Sequence, residues 1–208
     1  MTLNKKAVSL FVVILVWFAA IAGGLKILSD YTNAAGAVGQ TLPSWPSQSS
    51  LTLAQDSKPT LILFLHPKCP CSEASAGELD SLMSKIEGKA HVYALFVQPQ
   101  GWDESEIKNG LLWKHASAIP GVMTALDPEG KEAKLFGALT SGHMVGFDKQ
   151  GRLAFSGGIT IARGHMGDNP GLQAVAQFVN SGSAPLTRTR VFGCSLFKAH
   201  EHRKVAVR

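Results

Sequence analysis

The 208-residue sequence predicts an α/β domain, a mixed central sheet covered by helices on both faces, preceded by one N-terminal transmembrane helix. Three observations carry that expectation. Nineteen consecutive residues, Ala7 to Leu25, hold no charge. From Thr60 onward, apolar strand-like runs alternate with segments of helical period. The last two strand-like runs flank a Gly-ended turn, so the sheet closes with an antiparallel hairpin.

The N-terminal run would make about 28 Å of helix at ~1.5 Å per residue, close to the thickness of a bilayer's hydrocarbon core. Lys5 and Lys6 precede it, while Lys26 follows and is soon offset by Asp30. That asymmetry puts the N-terminus in the cytoplasm and everything after Leu28 outside, in a periplasmic or other extracytoplasmic space. A cleaved signal peptide is the competing reading, since Ala20-Ile21-Ala22 offers a small-residue cleavage site; the apolar run is long for such a segment. A buried soluble helix is the third. Residues 1–28 are therefore read as a cytoplasmic end and anchor, with residues 7–28 contacting the lipid bilayer. Residues 29–58, small and polar with Gly, Pro and Ser throughout, read as a flexible tether in which Trp45 is a candidate to tuck into the domain.

Folded character begins at Pro59. "TLILFL", Thr60 to Leu65, suits a strand buried on both faces. In the segment after it, Leu79, Leu82, Met83 and Ile86 form one apolar helix face, with Ser72 as a capping candidate and Gly88 just past the end. His91 to Val97 is the second strand and Asp103 to Ile119 the second helix, weakened by Gly110. Gly121 to Asp127 is the third strand, followed by a turn at Pro128-Glu129-Gly130 and a short helix in "KEAKLFGA". "HMVGFD" and "RLAFSG" flank the turn Asp148-Lys149-Gln150-Gly151. Asn169 to Gly182 closes the domain as a helix with Leu172, Val175, Ala176 and Val179 as its buried stripe. The domain thus spans 59–182, and 183–208 is a basic extension carrying Cys194. The formal charge of +5 sits in that extension: from Arg188 onward, six Lys/Arg face one Glu. Phe192 and Phe197 are its only aromatics and neither lies among the charges of residues 198–208, so no nucleic acid is expected as a partner.

Three cysteines do not make a disulfide scaffold. Cys69 and Cys71, separated by Pro70, stand where a buried strand gives way to a helix. A thiol at a helix N-terminus ionises readily, because unsatisfied N–H groups and the helix dipole favour the thiolate. Lys68 adds positive charge there and Glu73 opposes it. Pro70 stiffens the link between the two thiols. A disulfide across C-x-C closes a very small ring and departs from relaxed geometry, so it would be labile and suited to exchange. Cys194 reads either as a resolving thiol that folds back on this pair or as a buried small hydrophobe.

The element order, with these cysteines after the first strand, resembles the thioredoxin-like superfamily over roughly Pro59 to Gly182. Phe64, four intervening residues, Cys69 and then Glu78-Leu79 keep the spacing of exported, membrane-tethered members, and "FDKQG" matches the family's D-x-x-G turn. The resemblance implies that Cys69 is the exposed attacking thiol, that Ser72 occupies the place of the second cysteine, and that Cys71 is an additional thiol. "HPKCPCS", "FGALTSGH", "FSGGITIARGHMGDN" and "VFGC" together resemble a small bacterial group of RedB-like proteins, which implies membrane association and a redox role. The chain departs from the thioredoxin pattern at "LTSGH", where Ser141 and Gly142 stand before His143 and no proline is present.

What the resemblance implies is thiol–disulfide exchange with protein thiols or disulfides, or a small thiol, and no cofactor. Cys69, Cys71 and Cys194 would carry the chemistry, supported by His66, Pro70, Ser72, Ser141, Gly142, His143, Arg163 and His165. A second reading is soft-metal handling: thiolates with imidazole suit Cu(I), with Cys69, Cys71, His66, His143 and His165 as the candidate ligands. A third is a non-catalytic binding module, and a fourth a peroxidase, for which a Thr is expected where this chain has His66. His200 and His202 read as solvent-exposed. The Gly-rich segment Ser156 to Gly171, with Arg163, His165 and Asp168, lacks the pattern of a phosphate loop and reads as a loop packed beside the site, where Arg163 could meet an anionic substrate.

Overall fold

In the computed structural model the chain divides into two compact units, Met1–Ala34 and Ala35–Arg208. The structure describes residues 5–54, 56–86 and 88–197; His200 and His202 lie outside them. The first unit is one helix, α1, Lys5–Thr32. It runs past the expected end at residue 28, with Lys26 paired to Asp30 at 2.8 Å and Thr32 Oγ1 bonded to the Leu28 carbonyl at 3.0 Å. Val8–Thr32 is long and apolar enough to cross a membrane. Its large side chains, among them Phe11, Val13, Trp17 and Phe18, are exposed.

The second unit contains, in order, β1 Thr60–Leu65, α2 Pro70–Ile86, β2 His91–Gln98, α3 Glu104–Lys108, α4 Leu111–Ala118, β3 Val122–Pro128, α5 Lys131–Leu135, β4 His143–Phe147, β5 Leu153–Gly158 and α6 Pro170–Ser181. The single helix expected over 103–119 is two. The Asp103 side chain caps α3 by accepting from Ser105 N–H, and Gly110, extended at φ −65° and ψ 150°, separates the two and caps α4. In α6 the stripe includes Ala174 and Phe178, while Ala176 is only partly buried.

The sheet has the order β3-β2-β1-β4-β5. β1, β2 and β3 run parallel; β4 is antiparallel to β1, and β5 to β4. Strand β1 is central and fully buried, which explains its unbroken apolar run. Because side chains alternate along a strand, Leu61, Leu63 and Leu65 pack on one face with Leu79, Leu82 and Ile86 of α2, Leu112 of α4, and Val175 and Phe178 of α6. Ile62 and Phe64 pack on the other with Leu95, Val97, Val145 and Phe147.

That second face has only the short α5 to cover it, and the uncovered apolar area is closed by chain from both ends of the domain. Residues 36–53, expected as part of a flexible tether, lie on the domain: Gly39 N–H bonds to Gly137 O at 2.9 Å, Trp45 N–H to Gly151 O at 2.8 Å, and Leu153 N–H to Pro43 O at 2.9 Å. The Trp45 ring meets Phe136 and Phe147 edge-on at 5.2 and 5.3 Å. Leu196 completes the same cluster, so the residues just past α6 belong to the domain as well. The anchor point is Glu132, whose buried carboxylate accepts from Ser49 Oγ, Ser50 N–H and Ser50 Oγ at 2.6–2.8 Å.

Charge-assisted bonds of this kind contribute about 1.5–3 kcal/mol when intact. Glu132→Ala is therefore expected to raise hydrogen exchange across residues 45–53 by at least about tenfold, while β1 stays protected. Unchanged protection of that segment would show that it docks without the carboxylate.

Candidate thiol site

β1 ends at Leu65 in the middle of the sheet, and a tight turn, His66 to Cys69, delivers the chain to α2. Pro70 occupies the first helical position, where its fixed φ fits and its missing N–H costs nothing. Cys69, not Ser72, stands at the cap: its carbonyl accepts from Ser72 N–H at 2.9 Å and Glu73 N–H at 3.3 Å. Ser72 lies inside the first turn, where its hydroxyl accepts from His66 N–H at 2.9 Å. His66 is buried, takes Lys68 N–H on Nδ1 at 3.3 Å, and meets Trp102 edge-on at 5.8 Å. These two residues brace the turn. Lys68 itself pairs with Glu106 and lies over the Trp102 ring.

Because β4 runs antiparallel to β1 with His143 opposite Phe64, the residues just before His143 sit at the carboxyl end of β1. Gly142 N–H bonds to Phe64 O at 2.7 Å. Its φ of +82° suits glycine, and a Cβ there would strike Ser75 Oγ. This places Ser141 Oγ 3.3 Å from Cys69 Sγ.

The segment after α6 then closes over the pair. Ser141 N–H donates to Cys194 O at 2.8 Å, Cys194 N–H donates to Ser141 Oγ at 3.0 Å, and Leu196 N–H donates to Leu139 O at 3.0 Å. Gly193 permits the approach, since any Cβ there would overlap the Ser141 carbonyl oxygen. The sulfurs of Cys69, Cys71 and Cys194 consequently lie within 4.8 Å of one another, all as free thiols. The resemblance implied an exposed Cys69; it is 1 % exposed, Cys71 is 7 % exposed, and Cys194 is the most accessible of the three.

The three thiols are electrostatically unequal. Cys69 is held well below the usual thiol range, to about 4, chiefly by the Cys71 S–H, with further help from Ser141 O–H, Cys194 S–H and Ser72 N–H, against the opposing effect of burial. Ser141 is well oriented for this: its oxygen already accepts from Cys194 N–H, leaving its own hydrogen for the sulfur. Cys71 is pushed up because it donates to Cys69, with burial and the Cys69 thiolate charge adding to the effect. Cys194 is pushed up by burial first and then by Cys69. The Arg163 charge pulls both of these back toward ionisation. One negative charge is thus concentrated on Cys69 and shared by hydrogen bonding with two neutral thiols.

Arg163 is carried by the Gly-rich loop between β5 and α6. Asn169 Nδ2 pins that loop through Ile159 O and Gly167 O, both at 2.9 Å, and Gly167 N–H bonds to the buried Glu78 carboxylate of α2. The histidines proposed as metal ligands do not join the thiols. His143 begins β4; it is fully buried, with Nε2 2.8 Å from Ser156 Oγ, and burial lowers it to about 4 so that it stays neutral. His165 is exposed, with Nδ1 donating to Arg163 O at 2.7 Å. Among the described residues, the group able to hold a metal ion is the three cysteines, without His66, His143 or His165. Gly193 and Glu78 are the positioning residues that the sequence left unassigned, although the Gly-Cys pair in "VFGC" was the available signal for the first.

No protein-family model matches the chain, and no curated relative matches it. Solved structures share its fold. A hypothetical protein from Sinorhizobium meliloti 1021 has a TM-score of 0.56 at 18% identity, covering 82% of this chain and 99% of its own. An uncharacterized conserved protein from Geobacillus kaustophilus has a TM-score of 0.54 at 17% identity, covering 79% and 93%. An exposed lipoprotein thioredoxin from Streptococcus pneumoniae has a TM-score of 0.45 at 19% identity, covering 60% and 84%. The first two share the mixed, helix-flanked sheet over most of this chain, and at these identities the likeness concerns the fold alone.

Cys69 alkylation is expected to persist into acid and to fall away as pH drops through about 4. Ser141→Ala removes one hydrogen bond to a charged acceptor, a loss of about 1.5–3 kcal/mol. It should move the midpoint up by roughly one to two pH units. An unmoved profile would remove Ser141 from the set that stabilises the thiolate.

Proposed function

We propose that the chain is a membrane-anchored, extracytoplasmic protein that performs thiol–disulfide exchange. Cys69 supplies the thiolate, and Cys71 and Cys194 are its two intramolecular partners. The observation that supports this most is the convergence of three sulfurs on one stabilised thiolate. Thiolate stabilisation favours the reduced form, so a disulfide formed by Cys69 is an oxidant. Cys71 offers a strained local bond, whereas Cys194 closes a long loop with no small-ring constraint. The apolar run of α1 and the lysines at its start support an anchor with the N-terminus in the cytoplasm. RedB-like membership belongs to the same reading, on the motifs quoted above. Protein thiols or disulfides, or a small thiol, are the partners.

The test uses the purified full chain in detergent, equilibrated in glutathione redox buffers and mapped by mass spectrometry without reduction. A disulfide joining Cys69 to Cys71 or Cys194, lost in Cys69→Ser and with a potential above roughly −200 mV, is the expected result. Three thiols that stay free throughout the oxidising range would sink the proposal.

A second reading rests on the same 4.8 Å cluster. Three thiolates suit a soft ion such as Cu(I), and the histidines are not needed for it. The site residues fit such an ion through Cys69, Cys71 and Cys194. Anaerobic titration against a competing chelator should then find one Cu(I) bound, lost in Cys194→Ser and retained in His165→Gln. Equal binding by the Cys194→Ser variant would rule out this trithiolate arrangement.

A further inference from the structure

The most reactive thiol and the most accessible thiol are different residues. Cys69 carries the charge but is covered, on one side by the loop 139–142 and on another by the segment 191–196. Cys194 is partly exposed and lines a cavity of about 470 Å³. The other walls are Gly36 and Ala37, Leu139 and Thr140, Ser195 and Phe197, together with Arg163. Among the described residues of that lining Arg163 is the charged one, and its charge acts on Cys194 and Cys71.

We propose that an external thiol meets this protein at Cys194, through the cavity, and that the cavity favours small thiols carrying an anionic group. This rests on the exchange reading and specifies its point of attack, direction and substrate class. The oxidised form is the Cys69–Cys194 disulfide. The incoming thiolate RS⁻ attacks Cys194 Sγ in line; the Cys69–Cys194 bond breaks, and Cys69 departs as a thiolate into the bonds offered by Cys71 S–H, Ser141 O–H and Ser72 N–H. Cys194 is the sulfur of that bond which the cavity reaches, whereas Cys69 is buried behind it. A second RS⁻ attacks the R sulfur of the mixed disulfide RS–S–Cys194, releasing Cys194, which takes up a proton. Two RSH become RSSR, and the protein disulfide is reduced by the same two electrons. A small disulfide RSSR, running the sequence backward, reoxidises the protein.

The cavity volume lies within the range of small-molecule sites, about 300–1,000 Å³. The loop anchored by Glu78 and Asn169 holds Arg163 in its wall. Cys194 also donates its N–H to Ser141, so attack at its sulfur leaves the main-chain bonds that order the site in place.

The experiment takes the oxidised full chain in detergent, adds one equivalent of glutathione, quenches with acid and maps adducts by mass spectrometry. Glutathione on Cys194 with Cys69 free is the expected product; an adduct on Cys69 or Cys71 overturns the assignment while leaving exchange intact. In parallel, rates of reduction are compared between glutathione and uncharged 2-mercaptoethanol. Both thiols attack as thiolates beside Arg163, but only glutathione carries further carboxylates, so Arg163→Gln should slow the glutathione reaction about three- to tenfold more than the 2-mercaptoethanol reaction, the scale of a single partly screened charge. Equal effects on both thiols, or none on glutathione, would overturn the selectivity. Failure of the chain to form any intramolecular disulfide would overturn this inference together with the exchange reading.

Discussion

The hydrogen bond between Ser141 and Cys69 is the constraint on which the site depends. It exists only because three distant segments meet: the turn before α2, the loop before β4, and the strand-like stretch after α6. The Cys194 N–H occupies the Ser141 oxygen and leaves its hydrogen for the Cys69 sulfur. The residue that provides this N–H also provides the third thiol. Closure of the domain and assembly of the chemistry are therefore one event, since docking of residues 191–196 both covers Cys69 and tunes it.

The sheet makes that docking necessary. A central strand apolar on both faces must be covered on both. Here α2, α4 and α6 cover one face and leave the other to α5 alone. The chain closes the deficit with segments rich in Gly, Ser and Pro, which adopt extended paths and bond to loop edges without demanding a helix. Trp45 and Leu196 supply the apolar contacts, and Glu132 fixes the first of these segments. Burial of the thiols is a consequence of this arrangement, and it separates charge, on Cys69, from access, at Cys194.

Much of the fold is legible in the sequence because β1, β2 and the helices carry strong periodic patterns whose burial is local. The same holds for the turn at Asp148, where Gly151 sits at φ +73° as the Gly-ended turn requires. What was not legible depends on main-chain pairing, which leaves no side-chain signature. Residues 36–53 look like a linker by composition, and only the missing cover on the sheet shows why they dock. The Ser141–Cys194 pairing is of the same kind. His143 reads as the start of a strand, and only the register opposite Phe64 shows that it is fully buried and turned away from the thiols. Ser72 looks like a helix cap by type, but Pro70 starts the helix two residues earlier and hands the cap to Cys69. Of the candidate site residues, the three cysteines and Ser141 meet directly, Arg163 acts on them by charge, His66, Ser72 and Gly142 shape the backbone, and His143 and His165 serve elsewhere.

The measurement that bears most directly on this account is a pH titration of ultraviolet thiolate absorbance, comparing the reduced full chain with Cys69→Ser and with Gly193→Ala. The account predicts one thiolate already present well below neutral pH, absent in Cys69→Ser and shifted toward neutral pH in Gly193→Ala, where the covering segment can no longer reach Ser141. A single thiolate with the same midpoint in the Gly193→Ala protein, or none below neutral pH in the parent chain, would contradict it.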